Sequence, residues 1–253
     1  MKKSLIVMLA VLVGTVASYG QASFEPQSYT AKDGFTLMYQ ELKPSQLRPK
    51  KKYPLVIFLH GMGERGSDNT KQLLHGSQMF LNPVNQEKYP AFVIFPQCPE
   101  DKMWAGHKRP LDLENFQTDK ISVPMQAVKE LIDIYLQNPS VDPSRVYIMG
   151  LSMGGIGTYD IVSRFPDTFA AAVPICGAAN TKGLAAGKKV RWRIYHGDAD
   201  PVVPVNCSRM AYKALTEAGA KVEYFEFPGC QHISWNLAFS QPDFMEWLFK
   251  QKR

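Results

Sequence analysis

Six stretches of the chain are largely apolar, and most do not alternate with polar positions: Leu55–Leu59, Ala91–Phe95, Val146–Met149, Ala170–Ile175, Trp192–Tyr195, which contains Arg193, and Val222–Phe227, which contains Glu223 and Glu226. A strand covered on both faces has no polar side, so runs of this length predict the buried strands of a parallel sheet. Between them the period changes. After Ser122, a residue suited to cap a helix, Met125, Val128, Ile132 and Tyr135 recur at three- and four-residue intervals, widened by Leu131 and Leu136, which predicts an amphipathic helix. Further helices are expected from Met153 to about Phe165, from Val205 to Ala218 and from Phe244 to Phe249; Asn138-Pro139 and Phe165-Pro166 stop two of the set. Ahead of the first buried run, Tyr29 to Leu42 reads as a hairpin turning at Lys32-Asp33-Gly34. The pattern predicts a three-layer α/β sandwich, with a mostly parallel central sheet and an antiparallel hairpin at its N-terminal side. In such sheets reactive groups belong on loops at the carboxyl ends of the strands.

Composition narrows the picture. With 45% hydrophobic and 21% charged residues among 253, the chain has material for a sizeable core and is not a disordered segment. The net charge of +6 draws attention to Arg48, Lys50, Lys51 and Lys52, but no basic stripe on a recognisable module accompanies them. A solvated loop is expected there, and no nucleic-acid partner. Lys2 and Lys3 precede the apolar run Leu5–Val13, and small residues follow at Gly14, Ala17, Ser18, Gly20 and Ala22. That order is expected of a secretory signal peptide over residues 1–22, leaving 23–253 as one domain, exported to the periplasm or the medium without a stable membrane anchor. Export permits disulfides, and Cys98, Cys176, Cys207 and Cys230 are available. Cys98 and Cys176 end strand-like runs and read as buried thiols; whether Cys207 and Cys230 pair is left open by the sequence. No ligand spacing calls for a metal, and no cofactor is expected.

The chemistry concentrates at predicted strand ends. Gly150-Leu151-Ser152-Met153-Gly154 matches Gly-x-Ser-x-Gly between a strand and a helix, the context in which a tight turn lifts a serine hydroxyl clear of the sheet. A serine hydroxyl needs a neighbouring base to attack at neutral pH. Of the five histidines, His232 lies in a loop just past the last strand; His60 and His196 sit in His-Gly pairs at strand ends and read as loop-shaping residues, while His75 and His107 have no motif around them. The base needs a carboxylate to fix its tautomer. His196-Gly197-Asp198-Ala199-Asp200-Pro201 offers two, Asp198 suited to shaping the turn and Asp200 deeper in the loop. An oxyanion developing on a substrate carbonyl needs two N–H donors. Met153, following the serine, is one candidate, and Met62 in His60-Gly61-Met62-Gly63-Glu64-Arg65-Gly66 is the other. Pro96-Gln97-Cys98-Pro99 and Trp104 should flank the same cleft, with Trp104 expected to turn a ring face to an acyl or sugar group.

Taken together, the Leu-His-Gly-Met-Gly-Glu-Arg-Gly, Gly-Leu-Ser-Met-Gly, His-Gly-Asp-Ala-Asp-Pro-Val-Val-Pro and Gly-Cys-Gln-His segments resemble the α/β-hydrolase superfamily. More narrowly, they resemble the small phospholipase/carboxylesterase and dienelactone-hydrolase-like group that includes feruloyl and acetyl-xylan carbohydrate esterases. The resemblance implies the α/β-hydrolase sandwich and a triad of Ser152, Asp200 and His232, with Asp200 rather than Asp198 as the acid. It also implies an exported serine carboxylesterase acting on short-chain or aromatic acyl esters, with feruloyl or acetyl groups on plant polysaccharide among them. Gly-Glu-Arg-Gly followed by Pro-Gln-Cys-Pro is also similar to peptidases of the prolyl-oligopeptidase clan, which makes peptide hydrolysis the second reading. A non-catalytic glycan-binding scaffold is a third, disfavoured because all three triad positions are filled.

Overall fold

The computed structural model describes residues 22–106 and 120–253; all but the last residue of the expected signal peptide, and His107, lie outside them. In chain order the elements are β1 (Glu25–Thr30), β2 (Thr36–Leu42), β3 (Tyr53–Leu59), α1 (Ser77–Leu81), α2 (Pro83–Lys88), β4 (Phe92–Gln97), α3 (Val123–Gln137), β5 (Val141–Leu151), α4 (Met153–Arg164), β6 (Ala171–Ile175), β7 (Arg191–Gly197), α5 (Asn206–Glu217), β8 (Lys221–Phe227), α6 (Ser234–Phe239) and α7 (Phe244–Phe249). The strands form one eight-stranded sheet in the order β1-β2-β4-β3-β5-β6-β7-β8. β1 and β2 pair antiparallel, β2 joins β4 antiparallel, and the remaining pairs are parallel. The hairpin turns where the sequence predicts, with Gly34 at φ 87° and the Ala31 N–H on the Phe35 carbonyl at 2.8 Å.

The unbroken apolar runs have a direct explanation in the two cores. Leu55, Ile57, Leu59, Ile94 and Ile148 point to one face, against Met125, Val128 and Ile132 of α3 and Ile161 and Val162 of α4. Val56, Phe58, Val93, Phe95 and Met149 point to the other, against Phe80 of α1 and Phe244, Trp247 and Leu248 of α7. Successive residues of a strand face opposite sides, so a sheet with two dry faces must be apolar at every position. Three helices escaped the sequence pattern: α1, α2 and α6 have five, six and six residues, too few turns for a 3.6-residue period to show. The predicted Ser122 cap is present, its hydroxyl accepting the Met125 N–H at 3.2 Å.

All four cysteines are free thiols, so Cys207 and Cys230 do not pair. Among the described residues no helix is long and apolar enough to cross a membrane.

The crossing of β5, β3 and α4 is the tightest backbone contact near the strand ends. A Cβ on Gly154 would overlap the Leu59 carbonyl of β3, and one on Gly150 would overlap the Gly154 carbonyl. Both overlaps are with backbone, which cannot swing aside. Gly154→Ala is therefore expected to lose about 3 kcal/mol or more of stability in urea denaturation; a variant as stable as the parent would contradict this contact.

Candidate active site

Four loops meet at the carboxyl edge of the sheet. Ser152 stands between β5 and α4 with φ 53° and ψ −116°, outside the regions a side-chain-bearing residue prefers, at a cost of about 1–3 kcal/mol. The turn is pinned on both sides: the Ser152 N–H donates to Ile175 O of β6 at 2.9 Å, and Ser152 O accepts the Ile156 N–H at 3.0 Å. Held this way, the Ser152 hydroxyl meets Nε2 of His232 at 2.8 Å. Nδ1 of the same ring meets Asp200 Oδ2 at 2.6 Å. A carboxylate can only accept, so Nδ1 carries the ring proton and Nε2 is left to accept from the serine hydroxyl.

Asp200 has a fully buried side chain. Oδ1 accepts the N–H groups of Val202 and Val203 at 2.8 and 2.9 Å, and Nε2 of His196 lies 3.3 Å from Oδ2. Burial alone would raise the carboxyl pKa, but the hydrogen bonds from His196, His232, Val203 and Val202 outweigh it and hold Asp200 well below the usual carboxylate range. His196 is itself spent on structure. Its Nε2–H donates to Val203 O at 2.9 Å, and its Nδ1 pairs with Ser208 Oγ at 2.7 Å. Asp198 lies apart, accepting the Gly229 N–H at 2.6 Å. It shapes a loop, as its position suggested, but the loop is that of His232 rather than its own.

The Gly-rich loop after β3 reaches Ser152. A Cβ built on Gly61 would lie 3.7 Å from Ser152 Cβ, which brings Met62, the first residue of a one-turn 3-10 helix over Met62–Glu64, alongside the serine. Met153 opens α4, where an N–H has no partner within its own helix. The loop is anchored from several directions. His60 accepts the Cys98 N–H on Nε2 at 2.9 Å and donates from Nδ1 to Gly61 O at 2.6 Å. Gly66 N–H donates to Cys98 O at 3.0 Å. Arg65 donates from Nε to Met62 O at 3.2 Å and from Nη1 to Lys102 O at 3.1 Å.

Trp104 departs from expectation. It is fully buried, its indole N–H donates to His60 O at 3.1 Å, and its ring meets the His60 ring edge-on with centroids 5.2 Å apart. It supports the loop and offers no face to a ligand, because it is buried in the core cluster that holds Met125 and Val128 of α3, while Ser122 Oγ donates to its backbone carbonyl at 2.7 Å. The aromatic neighbour of His232 is instead Trp235, edge-on to it at 5.7 Å, and the His75 ring lies 5.2 Å from that of Trp235. His75 Nε2 lies 3.7 Å from Glu64 Oε1. The signal for Trp235 was its place three residues after His232, in a helix too short to read.

Donor atoms of Cys176, Asp200 and His232 lie within 4.8 Å of one another. Burial pushes the Cys176 thiol up to about 12, so it stands beside the triad as a neutral thiol.

A mostly parallel sheet with a serine elbow after its central strand, and with a carboxylate and an imidazole on the loops after β7 and β8, defines an α/β-hydrolase. The chain belongs to the phospholipase/carboxylesterase family, whose model matches residues 46–243. A solved thermostable esterase superposes with a TM-score of 0.84 at 36% identity, over 91% of this chain and 63% of that one. Poly(3-hydroxyalkanoate) depolymerase C of Paucimonas lemoignei is 26% identical over 180 residues, 70% of this chain and 40% of the depolymerase. Carboxylesterase SOBER1 of Arabidopsis thaliana is 26% identical over 197 residues, 70% of this chain and 82% of that protein. The chain thus spans less than two thirds of the first two proteins.

Two predictions follow from how the loop is held. Burial lowers the His60 pKa to about 4, below the roughly 6.5 of an unfolded histidine. The unfolded chain then binds a proton that the folded one refuses, so His60 costs stability as pH falls from 6.5 towards 4, by about 2 kcal/mol between pH 7.5 and 5. Urea midpoints should show this slope in the parent and a flatter one in His60→Asn; equal slopes would contradict it. Arg65→Met should lower kcat about tenfold or more with little change in KM, as expected when a donor meant for a transition state is misplaced. An unchanged kcat would remove Arg65 from that role.

Proposed function

We propose that this protein is an exported serine carboxylesterase that transfers the acyl group of a short-chain or aromatic ester to Ser152 and then to water. Feruloyl or acetyl groups on plant polysaccharide are the substrates this reading favours. The observation that carries it is the continuous hydrogen-bonded path from Ser152 through His232 to Asp200, at the site of a chain in the phospholipase/carboxylesterase family. The names of two relatives, a carboxylesterase and a polyester depolymerase, agree with ester chemistry. The order of residues in the N-terminal segment supports export.

In the first half-reaction the Ser152 hydroxyl oxygen bonds to the ester carbonyl carbon as its proton passes to Nε2 of His232. The carbonyl oxygen takes the electron pair and rests on the N–H groups of Met62 and Met153, each contributing about 3–4 kcal/mol to the transition state. Asp200 stabilises the imidazolium so formed and remains ionised throughout. When the carbonyl re-forms, the bond to the alcohol breaks and His232 returns its proton to the departing oxygen. A water then gives its proton to His232 while attacking the acyl carbon, and Ser152 leaves with the proton from the ring. The strained turn matters at each stage, because it keeps the serine oxygen in line with both the imidazole and the two donors.

Ser152→Ala should abolish labelling by a fluorophosphonate probe and lower nitrophenyl acetate turnover about 10⁴-fold or more. In a panel of nitrophenyl acetate, butyrate and palmitate with methyl ferulate and a peptide amide, the acetate, butyrate or ferulate should turn over fastest. Palmitate in first place would overturn the acyl assignment, and peptide turnover matching the esters would overturn the esterase reading.

A further inference from the structure

At the amino ends of the strands, the pole opposite Ser152, two open clefts of about 450 and 460 Å³ share Lys51, Tyr53 and Pro90 as a common wall. β3 separates this wall from the Gly61 loop by seven residues, roughly 20 Å of strand. The sequence reading of Arg48, Lys50, Lys51 and Lys52 as a solvated loop understates the place. Folding brings Lys88, Arg145 and Lys250 to the same clefts from three other parts of the chain. Six cations, Arg48, Lys51, Lys52, Lys88, Arg145 and Lys250, then face two acids, Glu87 and Glu246. Arg145 is paired with Asp142 at 2.7 Å. Lys51, Lys52, Lys88 and Lys250 make no ion pair with another of the described residues. Two of the ammonium groups are held in place over rings, Lys51 at 5.1 Å from the Tyr53 centroid and Lys88 at 5.2 Å from that of Tyr89.

We propose that these joined clefts bind an acidic polysaccharide, a chain whose sugar carboxylates pair with the lysines while its ring faces lie on the apolar walls. Unpaired cations across a concave trough call for a ligand carrying several anions along one strand. A bilayer would meet a flat or protruding surface rather than a trough. A single-stranded nucleic acid needs exposed aromatic faces for its bases. Here Tyr53 is buried, and the Tyr89 and Phe249 rings lie against each other with centroids 5.1 Å apart. Pro83 and Pro90, which keep exposed surface, give walls that suit the C–H faces of pyranose rings. The choice of a sugar polyanion rests on the polysaccharide-ester reading of the catalytic site. The two ends then have separate tasks, one holding the polymer and the other cutting its ester branches.

The test is calorimetric binding of polygalacturonate to the whole protein at 50 and 500 mM NaCl. Lys51→Glu/Lys250→Glu is measured alongside, with fully methyl-esterified polymer, single-stranded DNA and phosphatidylserine vesicles as further arms. Binding to polygalacturonate should weaken about tenfold or more in high salt and in the double variant, whose nitrophenyl acetate turnover should stay within about twofold of the parent. Absence of binding to polygalacturonate would overturn the proposal. So would equal binding to the methyl-esterified polymer, an unaffected double variant, or tighter binding to DNA or vesicles. Failure of the parent to hydrolyse nitrophenyl acetate would be a separate failure, that of the esterase reading.

Discussion

A carboxylate kept ionised where water does not reach organises this active site. Asp200 is sealed from solvent, yet its pKa is depressed rather than raised, because hydrogen bonds from two backbone amides and two imidazoles replace the lost hydration. Each donor comes at a structural cost. His196 is buried with both ring nitrogens occupied, and the Val202–Val203 backbone must curl round the carboxylate. In return Oδ2 faces His232 at 2.6 Å, shared only with the more distant His196 Nε2 at 3.3 Å, and the second nitrogen of the His232 ring is left toward Ser152.

The same economy of position governs the opposite wall of the site. His60, Arg65 and Trp104 are all turned inward to secure the Gly61–Gly66 loop. These are polar or amphipathic side chains that could serve a substrate, and the structure assigns them to the backbone instead. The loop can pack this closely because a side chain at Gly61 would overlap those of Leu151 and Glu64, and α4 can start at once because Gly154 lies against the Leu59 carbonyl. Placement of Ser152 is thus a matter of backbone contact.

How far the sequence foretold this depends on the range of the signal. Leu55–Leu59 and its companion runs announce strands because both faces of each are dry, and Gly150–Gly154 announces the elbow because its spacing and setting leave few other uses. That His232 comes to the same sheet edge as Ser152 is legible from its loop after the last strand. Trp104 is the exception, since a loop position says nothing of which way an indole turns, and this one turns into the core. Trp235 and His75 were passed over, one in a helix of under two turns and the other without a motif. The basic clefts were hidden for a different reason: Lys51, Lys88, Arg145 and Lys250 are neighbours only through the sheet order, which joins β3, β4 and β5 at their amino ends.

The choice between two acids in one loop tests the account most directly. The measurement is kcat for nitrophenyl acetate in Asp200→Asn and Asp198→Asn, each checked for an unchanged fold by circular dichroism. Loss of the Asp200 charge should cost about 10⁴-fold, as when a triad imidazole is left in the wrong tautomer, while Asp198→Asn should stay within about tenfold of the parent, since among the described residues its carboxylate accepts from the Gly229 amide and not from His232. A larger loss at 198, or an Asp200→Asn enzyme within tenfold of the parent, would contradict the claim that Asp200 is the charge on which catalysis rests.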